Sequence, residues 1–404
     1  MRSPERPRHP GGSSAPTCVA LLAALLTAAP AQALDYQVHG FLAQGFVLSE
    51  GNDFYGGSHD GTLNFFEAGL NGSMRPIPKL LLSGQVLARD AGATDSGELR
   101  LDYAFADYQA WAEPEGVAGL RLGRVKNPYG LFNDSRDVVF TRPGILLPLS
   151  VYFEGQGART LLFSSDGAQA YGGLTFGGHY LSVVGGLSPS KTLSNDDQEQ
   201  LFGALADQGD VSLHEFGSLR LMDEWGDGRW AAAASYLHGN LRFEPNPGVP
   251  LSGQATFDLY LVSLRYNGER YSLTGEYGVT ASESEFNSFG TVSRSTNTSD
   301  SLYVQAEYFL NPQWTLMGRY EAAFADSDDR DGSECLDENQ MPGNSHGCYA
   351  HDLGAGLSWK PDKHWGLWAE YHYIHGSYTA SRQDNSGGLD PHWSMLLLMA
   401  AYHF

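Results

Sequence analysis

Apolar and polar side chains alternate with a period of two along most of the chain after residue 33. In 271–280, Tyr271, Leu273, Tyr277 and Val279 share one face with Gly275, while Ser272, Thr274, Glu276, Gly278 and Thr280 share the other. In 301–309, Leu302, Val304, Ala306 and Tyr308 oppose Tyr303, Gln305 and Glu307. In 314–324, Leu316, Tyr320 and Phe324 oppose Thr315, Arg319 and Glu321. A helix cannot use this period; a strand with two different faces does. The runs are short, rich in Tyr, Phe and Trp, and broken by glycines and polar clusters. No later segment holds 18 uninterrupted apolar residues, so no transmembrane helix is expected. A soluble sandwich would also alternate, but it would bury its apolar face and seldom needs so many strands. The pattern predicts an all-β, closed, antiparallel transmembrane barrel.

Seven short connections stand out: 75–79, 113–116, Gly177-Gly178, 226–228, Asn267-Gly268, Asn311-Pro312 and 360–363. Eight longer ones interleave with them, at about 49–61, 90–99, 127–166, 188–212, 243–254, 281–300, 325–349 and 376–391. Fifteen connections predict 16 strands; other divisions of 159–165 leave 18 open. Short periplasmic turns and long outer loops are the expected asymmetry. Trp111, Trp225, Trp230, Trp314, Trp359 and Trp365 all lie within a few residues of a short turn. Trp favours the membrane–water boundary, so these six predict an aromatic girdle on the periplasmic rim.

Residues 1–33 read as a secretory signal peptide. Arg2, Arg6 and Arg8 precede an apolar run from Cys18 to Ala29, and Ala31-Gln32-Ala33 supplies small residues for cleavage. The barrel is then 34–404. Removing the signal takes three Arg and one Glu, shifting the net charge from −22 to −24. Nucleic acid is therefore a poor partner. The acid gathers in connections: Glu50 and Asp53, 196–199 with Asp196, Asp197 and Glu199, Glu283 and Glu285, and 326–338. Solvation explains this, and bridging by divalent cations to lipopolysaccharide is compatible with it. The 326–332 run is dense in carboxylates but lacks the ordered spacing of a calcium loop. Cys335 and Cys348 lie in one polar connection and are expected to pair in an oxidising compartment. Zinc is the alternative, with His346 and His351 nearby, but the spacing fits no common zinc site.

The chain closes on an apolar stretch, from His392 to Phe404, too short for a helical span and long enough for a strand. That strand and its terminal aromatic resemble the closing strand of bacterial outer-membrane barrels. The connection 127–166 is long and far more apolar than an outer loop should be. With the strand count and Phe404, it makes the chain resemble trimeric 16-stranded Gram-negative porins. The resemblance implies that this third loop folds into the lumen, and that the protein is a homotrimer in outer-membrane lipid. It implies passive passage of small hydrophilic solutes with no cofactor and no covalent chemistry.

Selectivity in such pores comes from charges at the narrowing. Candidates on the loop are Arg136, Asp137, Arg142, Glu154 and Arg159, with Tyr152 as a polar-tipped wall. Candidates on the inner face are Arg121, Arg220, Arg265 and Arg319, and Glu276, Glu307, Glu321 and Glu370, whose face His372 shares. A lipid-facing charge at mid-membrane costs about 2–4 kcal/mol, so these residues face water or protein. The plainer reading of each is a solvated lumen charge or a salt bridge tying loop to wall. Asp134, Asp137 and Glu154 partly neutralise the loop arginines; any surplus favours small anions or carboxylated solutes. Arg121 and Arg124 cannot both point inward without a bulge. Two other functions remain open. A membrane lipid hydrolase would need a set such as Ser235, His238 and Asn240, although Ser235 and His238 have opposite parity. A plugged, adhesive or structural barrel would use its outer loops.

Overall fold

The computed structural model describes residues 35–154, 159–195, 197–198, 207–335 and 345–404. The predicted signal peptide, and Asp196 and Glu199 of the acidic run, lie outside them. The strands are β1 (Asp35–Glu50), β2 (Thr62–Ile77), β3 (Leu80–Ala91), β4 (Ser96–Glu113), β5 (Gly116–Lys126), β6 (Ser164–Phe176), β7 (His179–Ser188), β8 (Lys191–Thr192), β9 (Gly209–Trp225), β10 (Trp230–Pro245), β11 (Leu251–Asn267), β12 (Tyr271–Ser288), β13 (Thr291–Phe309), β14 (Trp314–Phe324), β15 (Tyr349–Trp359), β16 (Trp365–Gly376) and β17 (His392–His403). Every pairing is antiparallel. β7 pairs with β9, and the two-residue β8 adds to the flank of β9, so 16 strands form the wall. β17 returns to β1 with Phe41 opposite His403 and Glu50 opposite Ser394, which closes the sheet. Phe404 extends that seam. Its backbone exchanges hydrogen bonds with Gly40, and a Cβ on Gly40 would meet the Phe404 ring at 2.6 Å.

Closure satisfies the backbone of every wall strand without an edge, which is what a spanning sheet requires. The two faces divide as the alternation predicts. Tyr260, Val262 and Leu264 of β11, Leu273 and Tyr277 of β12, Val304 and Tyr308 of β13 and Leu353 and Leu357 of β15 are exposed outside. Ser263, Glu276, Gln305 and Arg319, of opposite parity, are buried inside. The outer face is thus apolar, and the structure is a transmembrane barrel. The short-turn rim carries the predicted tryptophans. Trp225 stacks on Trp230 at 5.9 Å and Trp230 packs on Tyr266. Trp314 stacks on Trp359 at 5.3 Å, and Trp365 packs on Tyr402. Trp111 is exposed near the 114–115 turn.

Three predicted long connections are shorter than expected. The 90–99 connection is only 92–95, and the 243–254 connection only 246–250. The 281–300 segment is no loop: β12 and β13 run on as a tall hairpin, paired as far as Ser288 with Thr291. Phe289 and Gly290 make the turn, with φ 51° and 84°, the two positive angles that match strand twist. Polar side chains on both faces hid the strand. Above the membrane neither face needs to be apolar, so alternation in hydropathy disappears while pairing continues. The 159–165 segment adds no strand. Arg159–Phe163 is a π-helical turn, and β6 begins at Ser164.

Candidate functional site: the inward third loop

The third loop, described over 127–154 and 159–163, crosses the inside of the barrel. Its base is drawn together by Asn127 N donating to Phe163 O and by Asn133 Nδ2, which donates to both Asn127 O and Phe163 O. The apolar residues that made it anomalous in sequence bury against the inner wall on two sides. Val139, Ile145, Leu146 and Leu149 join Phe65, Leu87, Trp368, Ile374, Met395 and Leu397. Tyr129, Phe132, Leu147, Val151, Tyr152 and Phe163 join Phe216, Leu237, Leu259, Leu261 and Tyr303. Full burial of each such side chain stabilises by roughly 1.5–3 kcal/mol, so the loop has its own core inside a polar lumen.

Three inward carboxylates on one side of the wall pin the loop backbone. Glu276 accepts from Leu131 N (3.0 Å), Tyr152 Oη (2.6 Å), Ser263 Oγ (2.5 Å) and Tyr303 Oη (2.7 Å). Glu370 accepts from Ile145 N (2.5 Å) and Leu146 N (3.4 Å). Glu321 accepts from Ser150 N (2.9 Å). Arg319 pairs with Glu321 and donates to Leu146 O. His372 sits between Asp352 (2.8 Å) and Glu370 (3.3 Å). Arg220 donates to Gly130 O and pairs with Asp134. Gly130 has φ 57°, its N–H donates to Ser235 Oγ, and an added Cβ would lie 2.8 Å from Glu276. Glycine is the residue that tolerates both demands.

The loop's own charges form one ionic network with the opposite wall. Arg142 pairs with Glu67, which also binds Arg89. Arg89 reaches Asp95 and Glu154, and Arg100 also pairs with Asp95. Glu154 also pairs with Arg136 (2.5 Å) and Arg159 (3.2 Å). Asp137 joins Arg159 to Lys126, which in turn binds Asp102. Six cations thus face five carboxylates, leaving one formal positive charge. The Arg136 guanidinium lies over the Phe163 ring at 3.5 Å. Arg89, Arg136, Asp137 and Arg142 are all buried. In this structure the predicted constriction charges of the loop are anchors packed against the wall.

Burial works against the charge on Asp137, but Arg159, Lys126 and Arg136 outweigh it and hold the carboxyl well below the usual range. Glu154 is held low in the same way, by Arg89, Arg159 and Arg136 acting against its burial. A carboxylate depressed in the folded state contributes stability above its unfolded pKa, and loses it as pH falls through the folded value. The stability difference between the native chain and Glu154→Gln is therefore expected to stay constant from neutral pH down to about 4.5, and to vanish only in stronger acid. Thermal unfolding of both proteins across pH checks this. A difference that already shrinks above about pH 5 contradicts it.

The remaining predicted residues fall elsewhere. Arg121 lies inward between Phe105 and Tyr171, bonded to Asp107 and Gln169. Arg124, of opposite parity, pairs with Asp166, and Gly123 between them has φ 129°. Arg265 and Glu307 stand near the short-turn mouth, and Arg265 Nε has no hydrogen-bond partner among the described residues. Cys335 and Cys348 are joined, with Cα atoms 6.1 Å apart. His346 contacts Ser377, and His351 contacts Tyr320. Asp329 in the acidic run accepts from Ser333 and Glu334, which caps a turn. The hydrolase set is not assembled. Ser235 faces inward to Gly130, His238 pairs with Asp258, and Asn240 bonds Thr256. Glu67, Arg89, Asp95, Asp102 and Lys126 were missed by sequence reasoning. Glu67 and Arg89 carried a usable signal, since each is a charge at inward parity within an otherwise apolar or small-residue strand.

The outer loops also interlock. Asn52 exchanges hydrogen bonds with Asp390, and Asp53 with Asn385, tying 51–61 to 377–391.

Protein-family models and curated proteins give no match to this chain. Solved structures do. The outer membrane channel DcaP of Acinetobacter baumannii aligns with TM-score 0.56 at 15% identity, over 92% of this chain and 97% of that one. OmpF of Salmonella typhi, in complex with daunomycin, gives 0.55 at 14% identity, over 91% and 97%. An anion-selective porin from Comamonas acidovorans gives 0.53 at 13% identity, over 92% and 100%. At these identities the likeness establishes the fold, a porin-type 16-stranded barrel.

Proposed function

We propose that the chain is an outer-membrane porin, a water-filled channel for passive diffusion of small hydrophilic solutes. The observation that carries this reading is a third loop pinned across the inside of a closed barrel whose outer face is apolar. A loop held by three carboxylates and an ionic network narrows the lumen without moving parts. Size exclusion and the field of fixed charges then do the filtering. The fold shared with solved channels and porins supports the reading. Residues 1–33 are assigned to secretion and the barrel to the Gram-negative outer membrane, among lipid and lipopolysaccharide. A homotrimer, as the resemblance to trimeric porins implies, is part of this reading.

We assign the channel a weak preference for anions, carried by wall rather than loop arginines. The loop arginines are tied into the ionic network, while Arg121, Arg220 and Arg265 stand half-buried on the wall. Of these, Arg265 has no ion-pair partner among the described residues. In a salt gradient across a planar bilayer, Arg265→Glu is expected to move the reversal potential toward cations, and Arg142→Ala to move it less. An Arg265→Glu channel with unchanged selectivity contradicts the assignment. Liposome swelling with neutral sugars, dicarboxylates and amino acids tests the pore itself. Vesicles that never swell would overturn it.

A further inference from the structure

On the long-loop side of the third loop a cavity of about 170 Å³ opens between loop residues 149–153, the connection residues Tyr378 and Thr379, and the inner wall of β11–β14. Its floor is apolar, from Leu149, Val151, Phe153 and Leu259. Its rim is different. The hydroxyls of Thr280, Ser299, Ser301 and Thr379 line the cavity. None of the four makes a side-chain hydrogen bond among the described residues; the neighbouring Ser150 hydroxyl is used by Leu302 O. Gly278 keeps the wall open at this point, since a Cβ there would meet Ser301 Oγ at 3.2 Å and Leu261 at 3.3 Å. Asp300, of opposite parity to Ser299 and Ser301, turns its carboxylate away from the cavity, where it accepts from Arg330 (2.7 Å) and lies near the Tyr277 hydroxyl. No Lys or Arg lines it.

We infer that this cavity is a binding site for a small, uncharged, hydroxyl-rich solute: a polyol whose C–H edge packs on Phe153 and Leu259 while its hydroxyls meet Thr280, Ser299, Ser301 and Thr379. Each hydroxyl can both give and accept a hydrogen bond, so the rim suits a ligand with the same dual capacity. With no cation in the lining, nothing there offsets the desolvation of a carboxylated or phosphorylated solute. The inference deepens the diffusion-pore reading and rests on it for the solute's onward passage. The cavity lies on the outer side of the narrowing, where it would concentrate solute before the constriction.

Equilibrium dialysis of radiolabelled xylitol against the full-length, detergent-solubilised protein tests it. Saturable millimolar binding is expected. The double substitution Thr280→Val/Ser299→Ala is expected to weaken it about tenfold, the loss of about two modest hydrogen bonds. Ser299→Trp, which fills the cavity, is expected to abolish it in a barrel shown to be folded by its heat-modifiable gel mobility. Triethylene glycol dimethyl ether, without hydroxyl donors, and succinate are expected not to compete. Binding that never saturates, binding unchanged in both variants, or competition by succinate overturns the inference. Planar-bilayer conductance of the same preparation separates the two readings. Xylitol binding without channel steps leaves the cavity assignment standing and removes the pore; steps without binding do the reverse.

Discussion

Glu276→Ala is expected to cut the third loop loose from its wall and to destabilise the folded barrel by about 3–5 kcal/mol. The carboxylate is buried and accepts four hydrogen bonds, two of them from the loop at Leu131 N and Tyr152 Oη. Ser263 and Tyr303 complete the set from the wall. Alanine leaves four donors facing a cavity. Some will find water, but Tyr152 is fully buried, with Tyr129 and Phe132 packed on it, and has no other carboxylate at hand. Among the described residues, the loop backbone from Gly130 to Phe132 then keeps only Ser235 and Arg220 as hydrogen-bond partners on the wall. Circular-dichroism melting should show a lower midpoint, and single-channel records should show flickering that the native channel lacks. An unchanged midpoint with quiet channels would mean that apolar packing alone holds the loop. Glu276→Gln, which preserves shape and one acceptor oxygen, should fall between the two.

The second large effect is expected at Glu154. This one carboxylate faces Arg89, Arg136 and Arg159. Its removal in Glu154→Ala takes the network from one surplus positive charge to two, in a site with little water. Breaking a buried pair on one side costs about 3–5 kcal/mol, because the partner charge remains. The melting midpoint should fall, and the reversal potential should move further toward anions as the loop swings its arginines into the lumen. Adding Arg136→Met to Glu154→Ala should recover part of the lost stability, since it removes one orphaned charge and leaves a side chain able to pack on Phe163. A double variant no better than the single one would argue against charge imbalance as the cause.

The wall of this barrel was legible in its sequence because each strand has one face in lipid and one in protein or water. Tyr277 and Glu276 are adjacent in sequence and opposite in environment, and alternation reports just that. The same logic failed at 281–300, where both faces of the hairpin are exposed and hydropathy carries no alternation. The third loop was legible as an anomaly: Ile145, Leu146 and Leu149 are too apolar for an exposed connection. What it packs against was not legible. The inner wall facing it is itself partly apolar, with Phe65, Leu237, Met395 and Leu397 at inward positions, and such residues read as ordinary strand positions until a loop is placed over them. The charges were found as residues but not as partners. Pairings such as Arg142 with Glu67, or Glu276 with Leu131, span the chain and depend on how deep the loop sits. Residue spacing along a strand holds no record of that depth.

Passive diffusion through this barrel requires a water-filled lumen narrowed by the third loop. The most direct measurement is single-channel conductance of the native chain beside a variant in which 134–150 is replaced by a short Gly-Ser linker, both shown to be folded by heat-modifiable mobility. Discrete steps in the native protein, with steps several-fold larger in the variant, are the predicted result. A folded native barrel that gives no steps, or a variant whose steps are no larger than the native ones, would contradict it.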